Sequence, residues 1–501
     1  MEYLLGIDVG TTGVKILLID EGGRIQGSVT EEYPLFTPKP GWAEQNPSDW
    51  WEATVKGIRR LIEETGVKGT EIRGIGLTGQ MHGSVFLNNK GAVIHPAILW
   101  CDQRTAKECE EITEKVGKKK VFEITCNPVL TGFQAPKIVW LRNNHPEVYK
   151  NISKVLLPKD YIRFCLTGVF ATDVADASGT SLFDVKRRKW SEEILEALDI
   201  SSSLLPECFE SPELTGYITK EVSGLTGIQE GTPVVAGAGD QAAGGIGSGI
   251  VEEGFVSVSL GTSGVVFAHL EDIFVDPEGR LHTFCHAVPG KWHIMGVMLS
   301  AGGSFRWLRD TLFGKETSYN IMTDMAGQVP VGSEGLLFLP YLTGERCPYP
   351  DPNARGIFFG ISLKHRKEHF VRAVMEGVSF GLKDSIRIMK EIGVPEGKRF
   401  RITGGGAKSD LWCKMMADVF DGDTVRLKVE EGPSFGAAVL AGVGVGMYSD
   451  VKTACKKLVK EDEKVFIPDV RNTELYNKFY TLYGNIYKNV KGIFDNLAEI
   501  S

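Results

Sequence analysis

A few short stretches place carboxylates, hydroxyls and glycines at the ends of apolar runs. Residues 4–20 read LLGIDVGTTGVKILLID: two strand-like runs broken by Gly10-Thr11-Thr12-Gly13, with Asp8 closing the first run. A carboxylate at the end of a buried strand is costly unless it meets a cation or hydrogen-bond donors. The plainer reading is a turn-forming aspartate with access to water. Residues 256–268, VSVSLGTSGVVFA, repeat the pattern with Gly261-Thr262-Ser263-Gly264 at the tip. The two tips lie 251 positions apart (261 − 10) in a chain of 501 residues, which predicts two like-built halves. Backbone N–H groups at such tips, beside Thr and Ser hydroxyls, form concavities suited to a polyphosphate.

A second carboxylate ends another apolar strand. In TPVVAGAGDQAAGG (232–245), Asp240 is followed by Gln241 and small residues that read as a helix start. Two readings stand: a helix N-cap, which Asp performs well, and a catalytic group facing the gap between halves. The strand IRGIGLTG (72–79) feeds the loop GQMHG, whose His82 is either a satisfied structural histidine or a pocket residue. The glycines of GGGAKS (404–409) allow close approach by a flat ligand or simply form a loop.

Three familiar signatures fail on context. Gly237, Gly239 and Ala242 satisfy GxGxxA, but no acid follows about twenty residues on, and Asp240 would repel a pyrophosphate. His365-Arg-Lys-Glu-His369 has the spacing of one zinc-protease class, yet sits at a charged helix start after Ser362. GK followed by Ser or Thr is absent, so there is no Walker-type phosphate loop.

The elements that position these groups alternate between strand and helix periodicity, the α/β pattern. Residues 46–66 read as a helix capped by Ser48, with Trp51, Val55, Ile58 and Ile62 on one stripe and Gly66 at its stop. Residues 85–100 read as a hairpin turning at Asn88 to Gly91, and 399–420 as strand, glycine loop and helix. The last helix carries Leu475, Phe479, Leu482, Ile486, Val490, Ile493 and Leu497 at three-four spacing, a packing face. The boundary between halves falls near 245–255, giving domains 1–248 and 249–501.

Composition narrows the class. Hydrophobic residues make up 42% and charged residues 24%, as in ordinary globular proteins. A net charge of −8 argues against nucleic acid or anionic membrane as the main partner. Nine scattered cysteines without a C-x-x-C fit reduced thiols, and the apolar run 435–448 is too short and glycine-rich to cross a bilayer. No basic and apolar leader precedes the first strand, so a cytoplasmic location is expected.

Taken together these features resemble the FGGY carbohydrate kinases along nearly the whole chain. The matching segments include GIDVGTTGVK (6–15), PGWAEQNP (40–47), GQMHG, AILWCDQR (97–104), TGFQAPK (131–137), LLPKDYIRFCLTG (156–168), GAGDQAAGG, SLGTSG, GERCPYPDPNARGIFFGIS (344–362) and GGGAKS. GQMHG, TGFQAPK and LPKDYIRFCLTG are the part closest to the xylulose-phosphorylating branch. The resemblance implies two duplicated ribonuclease-H-like domains of the actin-hexokinase type, with a cleft for ATP and a sugar between them. It implies Asp8 holding the Mg2+ of MgATP and Asp240 taking the proton of the sugar hydroxyl. Thr11, Thr12, Gly261, Thr262 and Ser263 would line the phosphate path, and Gly404, Gly405 and Gly406 would pack on the adenosine. Met81, His82, Gln241 and Trp100 would contact a ketose, with D-xylulose expected and ribulose or glycerol as the alternative. A homodimer is compatible with this class. Cys101 and Gln241 depart from the family's usual Asn at both positions. Met81 and His82 suit an uncharged sugar, whereas a sugar acid would favour an arginine fork, which none of these loops supplies.

Overall fold

The computed structural model describes residues 2–429 and 431–500. Two seven-stranded sheets form its frame, and each is built from the same five-strand plan. In the first sheet Tyr3–Val9 and Gly13–Asp20 make an antiparallel hairpin, and Ile25–Glu32 extends it as a third antiparallel strand. Ile72–Gly79 then lies parallel to Tyr3–Val9 on the other side, followed by Pro233–Val235. In the second sheet Phe255–Leu260, Gly264–Leu270 and Trp292–Met298 form the antiparallel trio. Arg399–Thr403 and Asp423–Leu427 follow in parallel. The spatial order third, second, first, fourth, fifth is therefore the same in both halves, the duplicated ribonuclease-H-like arrangement of the actin-hexokinase fold.

Both hairpins read from the sequence are present, because an Ile- and Val-rich run on each side of a Gly-x-x-Gly tip leaves little else for the chain to do. Helix Pro47–Thr65 ends at Gly66 in the left-handed conformation (φ 67°), as its sequence predicts. Its start and its buried face differ from the reading. The N-cap is Asn46, not Ser48, since Pro47 occupies the first helical turn where its missing N–H costs nothing. The buried face is Trp50, Ala53, Thr54, Gly57, Ile58 and Leu61, while Trp51, Val55 and Ile62 are only half-buried. Trp50 is drawn inward by the bond from its indole N–H to Gln45 Oε1, 3.1 Å.

The last helix, Val470–Ile500, also turns another side inward. Leu475, Leu482, Ile493 and Leu497 are exposed, and burial is carried by Thr473, Tyr476, Tyr483, Ile486, Tyr487 and Phe494. Two of these tyrosines are favoured because their hydroxyls satisfy acids beneath them: Tyr476 donates to Glu376 at 3.0 Å and Tyr487 to Asp351 at 2.7 Å. Spacing alone ranks Leu above Tyr and misses this.

The halves are separate in sequence but interlocked in space. Helix Gly432–Gly444 comes late in the chain, yet it seats on the first sheet, where a core cluster joins Leu4, Leu17 and Ile19 to Phe435, Val439 and Leu440. Two glycines, Gly6 and Gly76, paired in register on neighbouring strands, let the helix backbone approach. A Cβ on Gly76 would come within 1.8 Å of Ala437 O, and one on Gly6 within 1.9 Å of Ser434 O. Helix Asp240–Gly247 of the first half packs in turn against Gly432–Gly444 and against Phe267 of the second sheet. The run 435–448, apolar and rich in small residues, thus reads as an internal packing helix, and no helix among the described residues is long and apolar enough to cross a membrane.

Gly76→Ala should therefore destabilise the protein by about 1–3 kcal/mol or more, through a clash with rigid backbone. Urea unfolding measures it, and a loss below about 0.5 kcal/mol would mean that the helix is not seated as described.

Candidate active site

Three parallel strand ends bring the two carboxylates together. Asp8 is in register with Thr78 on the neighbouring strand, and Thr78 with Ala238 on the next, two residues before Asp240. Asp240 follows directly on this short strand, near enough to Asp8 for its charge to bear on it. Asp240 is the first residue of helix Asp240–Gly247, whose N-cap is Gly239, so the capping role is excluded by position. The reading as a group facing the gap remains.

Electrostatics mark both acids. Burial first, and then the charge of Asp240, push Asp8 up to about 7, with Lys15 pulling the other way. Lys15 is itself paired with Glu431. Asp8 Oδ1 has no hydrogen-bond partner among the described residues. Burial also raises Asp240, to about 6, against hydrogen bonds from the backbone and side chain of Gln241. Each keeps a partial opening to solvent. Two desolvated carboxylates facing each other fit a site that expects a cation.

The first hairpin tip is held by a ring of amides and hydroxyls. Gln45, from PGWAEQNP, donates to Thr11 O at 2.7 Å and accepts from Gln80 Nε2 at 3.1 Å. Thr11 Oγ1 donates to Gln80 Oε1 at 3.1 Å, and the Trp100 indole N–H donates to Thr11 Oγ1 at 3.0 Å. Trp100, 40% exposed, is thereby tied to the first hairpin tip. Thr12 is exposed at the turn.

The second tip is built by a neighbouring loop. Gly302 N donates to Gly261 O at 2.8 Å, and the N–H groups of Ala301 and Gly303 donate to Thr262 O at 3.0 Å. Thr262 and Ser263 are left exposed. Beside this tip a cavity of about 490 Å3 is lined by Gly261, Thr262, Arg306, Tyr319, Gly405 and Gly406, among others. Gly404 takes a left-handed φ of 83° and packs under Leu260, while Gly405 has open space where a Cβ would be. A second cavity, about 270 Å3, is lined by Asp240, Gln241, Ser259 and Gly404, so Asp240 and the glycine loop share one wall-to-wall space. Gln241 faces this cavity, and no hydrogen bond joins it to Met81 or His82.

Met81 and His82 lie in the loop that follows strand Ile72–Gly79. His82 has a left-handed backbone (φ 68°), a strained state for a non-glycine residue, and its carbonyl accepts from the buried Lys137 Nζ at 2.8 Å. Its Nδ1 is bonded to Gly179 O at 2.7 Å and its ring stacks on Phe133, 4.5 Å between centroids. Burial, then the Lys137 charge, push the ring down to about 3, so it is neutral. Met81 packs on Gly239, where a Cβ would fall 2.7 Å from its Cγ. This contact couples the loop 80–83 to the residue before Asp240.

The sequence reading missed the supports. Gln45 and Gln80 gave no signal beyond lying in motifs. An enclosed set of charges was also invisible: Lys159 Nζ contacts Asp160 Oδ1 and Asp173 Oδ2 at 2.6 Å and Asp176 Oδ2 at 3.3 Å, all fully buried. Asp176 Oδ1 lies 3.2 Å from where a Cβ on Gly239 would sit. The HRKEH spacing is spent on the helix start, where His369 Nδ1 accepts from Arg366 N at 3.1 Å and His365 Nδ1 from Ser362 N at 3.0 Å.

Comparison with known proteins agrees with this geometry. Residues 3–247 match the N-terminal domain of the FGGY family of carbohydrate kinases, and residues 256–445 match its C-terminal domain. A curated relative, the xylulose kinase of Lactococcus lactis, is 42% identical over 501 residues, covering 100% of this chain and 99% of that protein. Among solved structures, the ligand-bound xylulose kinase of Lactobacillus acidophilus is similar at a TM-score of 0.94 and 29% identity, covering 99% of this chain and 100% of that one. The gluconate kinase of the same organism is similar at a TM-score of 0.93 and 29% identity, covering 99% of each chain. The chain belongs to the FGGY family of carbohydrate kinases.

Proposed function

We propose that this kinase transfers the γ-phosphoryl group of ATP to the terminal C5 hydroxyl of D-xylulose, giving D-xylulose 5-phosphate in pentose breakdown. The observation that carries the transfer chemistry is the pair of desolvated carboxylates, Asp8 and Asp240, beside two glycine-edged hydroxyl tips. Full-length identity of 42% to a xylulose kinase supports the acceptor. The overall fold does not choose it, since a gluconate kinase is equally similar in shape.

Asp240 accepts the proton from the attacking hydroxyl, and its raised pKa keeps it a competent base near neutral pH. Asp8, with an oxygen left unpartnered by the described residues, is the group that would hold Mg2+ with ATP, a source of positive charge at the transferring phosphates. Thr11, Thr12, Gly261, Thr262 and Ser263 line the phosphate path, and Gly404 to Gly406 receive the adenosine. Met81 and His82 hold the ketose, Trp100 closes its edge, and Gln241 orients Asp240. In this assignment residues 1–248 carry the acceptor and 249–501 the nucleotide. The enzyme works in the cytoplasm on small molecules.

A coupled ADP-release assay tests the acceptor. D-xylulose should give the highest kcat/KM among D-xylulose, ribulose, glycerol and gluconate, and another acceptor ahead by about tenfold or more would replace it. Asp8→Ala should raise the Mg2+ requirement and depress turnover whatever the acceptor, and an unchanged requirement would return Asp8 to a turn-forming role. For His82 the lowered pKa means that protonation starts only as the pH falls toward 3, well below the usual histidine range. Its ring resonances should stay flat in an NMR titration between about pH 5 and 8, and a midpoint near the ordinary value of about 6.5 would contradict the buried neutral ring.

A further inference from the structure

A closed set of charges abuts the short strand Ala238–Gly239 that leads into Asp240. Lys159, Asp160 and Arg163 come from helix Pro158–Thr167, Asp173 from the end of strand Ala171–Asp173, and Asp176 from the short helix Val174–Ala177. All of them are fully buried. Arg163 Nη2 donates to Ala236 O, and its Nη1 donates to Ala171 O at 2.7 Å, so the set is tied to the segment from which Asp240 starts. Helix Val174–Ala177 packs on strand Ala238–Gly239, and Ala175 shares a core cluster with Val235, Ala238 and Ala242.

The charges of this set do not balance, since three carboxyl groups share the two cations Lys159 and Arg163. Asp160 Oδ1 accepts from Lys159 Nζ at 2.6 Å and from Arg163 Nη1 at 2.7 Å. Asp173 Oδ2 contacts Lys159 Nζ at 2.6 Å, while its Oδ1 caps the short helix, accepting from Ala175 N at 2.8 Å and Asp176 N at 3.0 Å. Asp176 is served worst: Lys159 Nζ stands 3.3 Å from its Oδ2, and neither carboxyl oxygen has a hydrogen bond among the described residues. A surplus negative charge sealed from water is costly, and the carboxyl with the fewest donors is the one that keeps its proton. Burial pushes Asp173 up and Asp176 well above the ordinary carboxylate range, with Lys159 pulling both the other way. The close ammonium and two N–H donors hold the charge on Asp173, so the proton belongs to Asp176.

The same carboxyl lies against the residue before the base. Gly239 is the N-cap of helix Asp240–Gly247. A Cβ on Gly239 would meet Asp176 Oδ1 at 3.2 Å and Met81 Sδ at 3.1 Å, so these two side chains close the space beside it. We propose that Asp176, kept neutral, is a positioning residue for Asp240: its uncharged carboxyl fills the space beside Gly239 and fixes the turn from which the base sets out. This rests on the reading of Asp240 as the base and deepens it. Truncating Asp176 frees Gly239 to shift, and a displacement of about 1 Å at a reacting group is enough to cost about a hundredfold in rate.

Steady-state kinetics of the whole enzyme, with the acceptor that wild type uses best and turnover expressed per folded molecule, tests this in Asp176→Ala and Asp176→Asn, with Asp240→Asn alongside. Asp176→Ala should lower kcat by about ten- to a hundredfold, with the KM values for acceptor and ATP within about threefold of wild type. Asp176→Asn has the shape of the neutral acid and should rescue kcat to within about threefold of wild type, with the thermal midpoint kept. If the alanine variant does not fold, Asp176→Ser, which leaves a smaller gap, takes its place in the comparison. A kcat per folded molecule within about threefold of wild type in the truncated variant would reduce Asp176 to a structural role and overturn the proposal. An asparagine variant that unfolds or loses turnover would overturn it too, by showing that the charge of Asp176 is needed. If Asp240→Asn turns over like wild type, the reading of Asp240 as the base falls and the proposal falls with it, whereas an inactive Asp240→Asn beside an active Asp176→Ala overturns the positioning role alone.

Discussion

Two carboxylates cannot both stay charged at close quarters in a site short of water unless something positive joins them. Asp8 and Asp240 are held in that condition by backbone: strand register fixes the first, and the start of a helix fixes the second. Lys15, whose charge bears on Asp8, is already engaged by Glu431. On the reading proposed above, a ligand that carries negative phosphates together with a compensating charge completes the site. On the same reading its donors come from the exposed tips at Thr12 and Thr262, which are supported from beneath by Gln45, Gln80 and the 301–303 loop.

The rest of the fold keeps this pair in place. Duplication gives each half a hairpin with a like tip, and the packing of helices Asp240–Gly247 and Gly432–Gly444 on each other, the second seated on Gly6 and Gly76, locks the halves together. Asp240 begins one of those helices, so its position depends on the packing between halves as much as on its own strand. Met81 against Gly239 and His82 against Gly179 extend the same rigidity to the loop 80–83. The left-handed backbone at His82 is a local strain that Lys137 and Phe133 are placed to hold.

Much of this was legible in the sequence because it is local. Strand, glycine tip and strand is a short-range signal, and so is an acid ending an apolar run; both hairpins and both strand-end acids lie where the residues predict. Long-range pairing was not legible. Nothing near Lys137 in sequence points to the His82 carbonyl that it meets, and Lys159 gives no hint that it is enclosed by Asp160, Asp173 and Asp176. The helix faces failed for a related reason. At Trp50 and Tyr476 a polar handle meets a partner far along the chain, and that partner, more than the spacing of leucines, decides which side turns inward.

The account stands most directly on Asp240 as the base for the acceptor hydroxyl. Asp240→Asn keeps the shape of the side chain and removes the proton acceptor. It should lower kcat with D-xylulose by something like 10²–10⁴ while leaving D-xylulose and ATP affinity nearly unchanged. Turnover close to wild type in that variant, with its binding intact, would contradict the account.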